Sequence, residues 1–170
     1  GAVNPSARLP FTVAADESQL PDFDREADHV VYDEWHGWWR PERDGHVPTY
    51  PFGFGLSYTT FELGAFEVAE DGSQIVISGS VANTGARDGA DVVQVYAELP
   101  QVGRPRRLVG FRRVEVAAGR SAPVEIRFDV AALATRDSAR QCWNPPTGRH
   151  DLSVARNATD HHPRHLTIDL

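Results

Sequence analysis

From Phe61 onward, apolar and polar positions alternate with a period of two. Val124, Ile126, Phe128 and Val130 are separated by Glu125, Arg127 and Asp129, giving one apolar and one charged face, as a half-buried antiparallel strand requires. Ile75, Ile77, Gly79 and Val81 alternate in the same way with Val76, Ser78 and Ser80. The run from Asp91 to Glu98 (DVVQVYAE) is apolar on both faces and predicts a central strand. Leu108 to Val116, Arg149 to Ala155 and Arg164 to Leu170 add further runs rich in β-branched residues. Turn chemistry separates them. Asp71-Gly72 suits a tight hairpin, Asn83-Thr84-Gly85 and Asp88-Gly89 bracket a longer turn, and Ala118-Gly119 marks another. Ala131 to Thr135 predicts one short helical turn, starting near Asp129 or Val130.

Residues 1–56 follow another pattern. Pro5, Pro10, Pro21, Pro41, Pro48 and Pro51 recur through them, each fixing φ and removing a backbone donor. Leu9 to Val13 is the one short strand-like piece, and Asp16 to Asp28 is acidic and polar apart from Leu20, Phe23 and Ala27. An arm of this length without regular structure cannot build its own core, so it is expected to lie across something larger. The chain therefore divides into a linker or wrapping arm (1–56) and an all-β unit (57–170). Seven strand candidates with scarcely any helix predict a β-sandwich of immunoglobulin type. The Cys–Trp–Cys signature of antibody domains is absent, which points to the fibronectin type III variant.

Composition narrows the function. The chain has 170 residues, 41% hydrophobic and 24% charged, a globular balance that suffices for one domain plus an arm. A formal charge of −7 argues against nucleic acid as a partner, because duplex binding needs a basic face. No stretch approaches the roughly 20 apolar residues of a membrane-spanning helix, so no membrane partner is expected. A single cysteine, Cys142, excludes an internal disulfide framework and a cysteine-based zinc site. The absence of Met, with Gly1 at the start, suggests part of a longer gene product and leaves the cellular compartment open. All 17 basic residues are Arg, a bias that suggests a GC-rich bacterial coding sequence.

Most motifs with chemistry fail on context. Gly53-Phe54-Gly55-Leu56-Ser57-Tyr58 begins like a dinucleotide fingerprint, but Tyr58 replaces the third glycine and no helix pattern follows. Gly55-Leu56-Ser57-Tyr58-Thr59 resembles a nucleophile elbow, but Thr59 replaces the final glycine and no strand–turn–helix context surrounds it. His161, His162 and His165, with Asp160, could hold a divalent metal, but the spacing fits a solvated loop better. No metal and no cofactor is expected. The Asn157-Ala158-Thr159 sequon is common by chance. Arg106, Arg107, Arg112 and Arg113 fit a solvated strand face. Carboxylates are frequent, yet none forms the converging pair that glycoside hydrolysis requires.

The densest anomaly is Trp35-His36-Gly37-Trp38-Trp39-Arg40, with three of the four tryptophans. Aromatic faces beside hydrogen-bonding groups are what sugar rings stack against, which makes Trp35, His36, Trp38, Trp39 and Arg40 candidate substrate-binding residues. The competing reading is that these indoles anchor the arm to a neighbouring domain. A polymer-binding module should present solvent-facing aromatics on a sheet or loop edge. Within the sandwich, Trp143 and a few Phe and Tyr residues fall mostly in core phase.

Tyr50 to Phe61 (YPFGFGLSYTTF) closely resembles the junction of glycoside hydrolase family 3, where a fibronectin type III-like domain joins the catalytic body. The resemblance continues through Val81 to Gly85, Arg87 to Ala90, Val92 to Tyr96, Leu108 to Val114, Ala118-Gly119, and Trp143 with Gly148. Asn4 to Pro10 resembles the last strand of the family's α/β sandwich domain, with Ala7 where glycine is usual. The resemblance implies a C-terminal piece of a retaining β-glucosidase or β-xylosidase. Its nucleophile and acid/base lie in upstream domains, so no catalytic residue is expected here. It also implies a non-catalytic stabilising role, with those catalytic domains as partners; an oligosaccharide as a second partner at the Trp-rich loop is expected from the aromatic chemistry of that loop alone. The alternative is a carbohydrate-binding or adhesive module.

Overall fold

The computed structural model describes residues 1–31, 33–98 and 106–170. Two antiparallel sheets face each other. One has the order β1-β2-β5, with β1 at Phe61–Asp71, β2 at Gln74–Asn83 and β5 at Ser121–Asp129. The other has the order β4-β3-β8-β9, with β3 at Gly89–Ala97, β4 at Arg107–Val116, β8 at Arg149–Ala155 and β9 at Arg164–Asp169. The six runs bounded in the sequence all form strands, five of them within two residues of the expected limits, while β5 begins three residues before Val124. The register explains the period-two pattern. Ile75, Ile77 and Gly79 of β2 lie opposite Phe128, Ile126 and Val124 of β5, so one row from each strand enters the core while Glu125, Arg127 and Asp129 stay outside.

The core between the sheets is built from Phe61, Leu63, Ile75, Ile77, Val81, Val93, Val95, Ile126, Phe128, Leu152 and Val154, with neighbours. Gly72, at φ 64°, makes the β1–β2 hairpin turn that Asp71-Gly72 predicts. The Asp129 side chain accepts a bond from Ala131 N at 2.8 Å and caps a single 3-10 turn, Val130–Leu133. One element escapes the hydrophobic pattern: a short hairpin of β6 (Thr135–Asp137) and β7 (Cys142–Asn144). With three residues per strand and no alternating apolar row, it gives no periodic signal.

The arm is mostly irregular, with one 3-10 turn at Glu17–Gln19 and one short helix, α1 (Trp39–Arg43). The strand-like Leu9 to Val13 runs beside residues 50–54 but forms only an isolated bridge, Val13 to Tyr50. Leu9 N donates to Phe54 O and Gly53 N to Leu9 O, both at 2.8 Å. The arm covers the outer face of the four-stranded sheet. There Tyr96, Ala155 and Ala158 form a second apolar cluster, closed over by Trp38, Phe52 and Leu108. This side of the fold therefore has three layers.

His150 lies on the same face of β8 as Leu152 and Val154 and is 1% exposed. Neither ring nitrogen has a well-formed hydrogen bond. Desolvation holds its pKa below the ordinary histidine value of 6.5. The unfolded chain therefore binds this proton more readily than the fold does, and the stability tied to neutral His150 is lost as pH falls below 6.5. The melting temperature is expected to fall between about pH 7 and pH 5, and the slope should flatten in His150→Leu. An unchanged slope in that variant contradicts the assignment.

Candidate functional site

The most constrained polar cluster lies where the arm meets β3. Asp91 is fully buried. One of its oxygens receives an Arg8 guanidinium from the arm, and the other receives Arg156 Nε at 2.8 Å from the loop after β8. Arg156 also donates to Phe61 O at 3.2 Å, and its own N–H is held by Asp160 at 2.9 Å. Arg8 NH1 reaches Gly55 O at 3.3 Å. Burial, with Arg156 nearby, pulls the Arg8 pKa down to about 10, which still leaves it charged at neutral pH. Burial also lowers the Arg156 value. Two guanidiniums thus meet the one fully buried carboxylate among the described residues. Asp91 joins strand, arm and loop and has no oxygen free for proton transfer.

Gln94 extends the junction outward. Its amide N–H donates to Gly53 O at 3.1 Å and Arg156 O at 2.7 Å, and its carbonyl accepts the Tyr96 hydroxyl at 2.6 Å. Burial raises the pKa of that hydroxyl, so it stays a donor. Gly53 has φ 78°, and a Cβ there would overlap the Gln94 amide, which explains why a glycine stands at this point in Tyr50 to Phe61. Further along, Asn4 Oδ1 accepts from Ser57 Oγ at 3.0 Å and Tyr58 N at 2.9 Å, while its amide donates to Asp88 O at 3.1 Å.

The Trp-rich loop lies over the same sheet. Trp38 stacks on Phe52, with centroids 5.0 Å apart and planes 17° apart, and meets the Tyr96 ring at 5.8 Å. Trp39 tilts against Trp38 at 5.2 Å and donates its indole N–H to Arg106 O. Arg106 holds Glu42 of α1 through two bonds, at 2.9 and 3.1 Å, and Ala158 O at 2.7 Å. Trp35 is half-buried and His36 exposed; His36 packs edge-on to Trp39 at 5.9 Å. Arg40 pairs loosely with Asp44 at 3.6 Å. The five candidate sugar-contact residues are therefore brought together, but Trp38 and Trp39 pack on this chain's own sandwich instead of standing free. The anchoring expected toward a neighbouring body is made at home, because Phe52, Tyr96 and the Arg106 carbonyl offer the matching surface.

Sequence reasoning missed Asp91, Gln94, Arg8 and Arg156 as a unit. The available signal was two polar residues, Asp91 and Gln94, inside a strand otherwise apolar on both faces. Of the sandwich aromatics expected mostly in core phase, Trp143 is exposed on β7. Among the described residues, no three His, Cys, Asp or Glu side chains converge as a metal site, and His161, His162 and His165 are all exposed.

The family model described as fibronectin type III-like domain matches residues 91–158. A xylan 1,4-beta-xylosidase of Xylanibacter ruminicola is 30% identical across 100% of this chain and 19% of its own length. A probable beta-glucosidase I of Neosartorya fischeri is 36% identical over 91% of this chain and 20% of its own length. The solved GH3 beta-glucosidase of Bifidobacterium adolescentis superposes with a TM-score of 0.85 at 32% identity, covering 99% of this chain and 27% of that one. The chain thus spans about a fifth of the length of the curated relatives it matches. It belongs with the glycoside hydrolase family 3 β-glucosidases and β-xylosidases, in which it corresponds to a segment carrying a fibronectin type III-like β-sandwich.

Proposed function

We propose that this chain is a non-catalytic accessory segment of a longer β-glycosidase. The sandwich acts as a stabilising strut, and the arm is the layer that fits between it and the catalytic body. In this reading the longer protein hydrolyses O-glycosyl bonds, and its nucleophile and acid/base lie outside this segment.

One observation carries the reading. Of the twelve large apolar side chains exposed among the described residues, ten lie between Val3 and Tyr58. The inner face of the arm is fastened to the sandwich through Arg8, Trp38 and Trp39. The outer side presents Phe11, Leu20, Phe23, Val30 and Val31 to solvent. So much apolar surface concentrated on one segment is the mark of an interface. Covering about 1,000 Å² of it would hold two domains in a fixed orientation. Charge accompanies these side chains. Residues 16–34 carry eight carboxylates and one arginine, a balance of −7 that equals the formal charge of the whole chain. A partner surface edged with Arg or Lys suits it.

Truncating the longer enzyme before Tyr50 is expected to lower its melting temperature by about 5 °C or more and to reduce turnover. Unchanged values for both contradict the strut. The isolated 170-residue chain should release no aglycone from aryl-β-glycosides above background, and measurable turnover contradicts the non-catalytic role. Arg8→Ala should cost about 3 kcal/mol and open the arm to limited proteolysis while the strands stay protected. An arm that remains equally resistant contradicts its fastening by this pair.

A further inference from the structure

Of the four tryptophans, Trp38 and Trp39 are engaged in packing and Trp35 is half-buried. Trp143 is 63% exposed. It lies on β7 directly opposite Arg136 of β6, so the two side chains share one face of the hairpin. The Arg136 guanidinium lies over the indole, 5.9 Å from the ring centroid. Its NH2 donates to Gln141 Oε1 at 3.1 Å, and Gln141 Nε2 donates to Ser138 O at 2.7 Å. Gln141 has φ 55°, the single non-glycine positive φ among the described residues, a conformation that costs energy unless its surroundings hold it. The chain of contacts Ser138–Gln141–Arg136–Trp143 therefore orients the indole in advance while most of the residue stays exposed. Preorganisation of this kind reduces the entropy lost on binding.

The surroundings select the ligand class. A protein-docking surface needs contiguous apolar area. Trp143 instead stands alone. The hairpin around it carries Arg136, Asp137, Arg140 and Gln141, and the other large exposed apolar residue beyond Tyr58 is Phe111 on β4. One flat apolar face bordered by donors and acceptors matches a pyranose ring, with its apolar C–H face and rim of hydroxyls. We propose that Trp143, with Arg136 and Gln141, forms a carbohydrate-stacking subsite that takes one sugar unit of an oligosaccharide. The reading of the chain as a glycosidase segment enters only in the choice of sugars to test; the site does not depend on the arm or on the catalytic body.

The test uses the 170-residue chain with cellotetraose and xylotetraose, following the four indole N–H signals by NMR. The Trp143 signal is assigned by its loss in Trp143→Ala, whose exposed position leaves the melting temperature unchanged. The expected result is a saturable shift of the Trp143 signal with a Kd of roughly 1–10 mM for at least one sugar. In an affinity gel, xylan or a soluble glucan should retard the wild-type chain and not Trp143→Ala, and Arg136→Ala should bind about threefold or more weakly. The proposal is overturned if Trp143 fails to shift saturably with either sugar, if the shift falls on another indole, or if Trp143→Ala is retarded as strongly as the wild type. Loss of stabilisation in the truncated enzyme leaves this result untouched, so the two readings can fail separately.

Discussion

A single carboxylate sets the architecture of the arm. Asp91 has no access to water, and its charge is tolerable only because Arg8 and Arg156 meet it from opposite parts of the chain. Arg8 lies early in an arm that has almost no secondary structure, so its position is defined by what it binds. With that pair in place, Leu9 lies beside Phe54, Gly53 beside Gln94, and Trp38 of the Trp-rich loop against Tyr96. Removing one partner would leave a desolvated charge behind, which makes the junction all-or-none.

This junction gives the arm two faces with different duties. The inner face closes a second apolar cluster over the four-stranded sheet, so the arm is part of the folded unit and not a tether. The outer face holds most of the exposed large apolar side chains together with the acidic stretch. A segment fixed on one side and apolar on the other is suited to transmit rigidity between two bodies. The relatives are glycosidases several times longer than this chain, a contrast that agrees with the accessory reading. The β6–β7 hairpin is separate from both faces in its chemistry, since its exposed indole stands among polar groups.

The sandwich was largely legible from the sequence. Val124, Ile126 and Phe128 alternate with charged neighbours because the register against Ile75 and Ile77 puts alternate residues in the core, and Asp71-Gly72 makes its turn for reasons of backbone sterics. Both are local signals. The Asp91 junction was not legible, because its partners lie 83 and 65 positions away in the chain and no period links them. Trp38 and Trp39 stood out in the sequence, but which surface they meet depends on the tertiary placement of Phe52 and Arg106. The exposure of Trp143 was not legible, because its short hairpin lies outside the two main sheets, where strand phase no longer reports burial.

The central claim is that Arg8 and Asp91 act as one unit that fixes the arm to the sandwich. A double-mutant cycle with Arg8→Ala and Asp91→Asn, measured by denaturant unfolding, tests it most directly. A coupling free energy of about 2 kcal/mol or more is predicted. Additivity within about 0.5 kcal/mol would mean that the two side chains act independently and that the arm is held by other contacts.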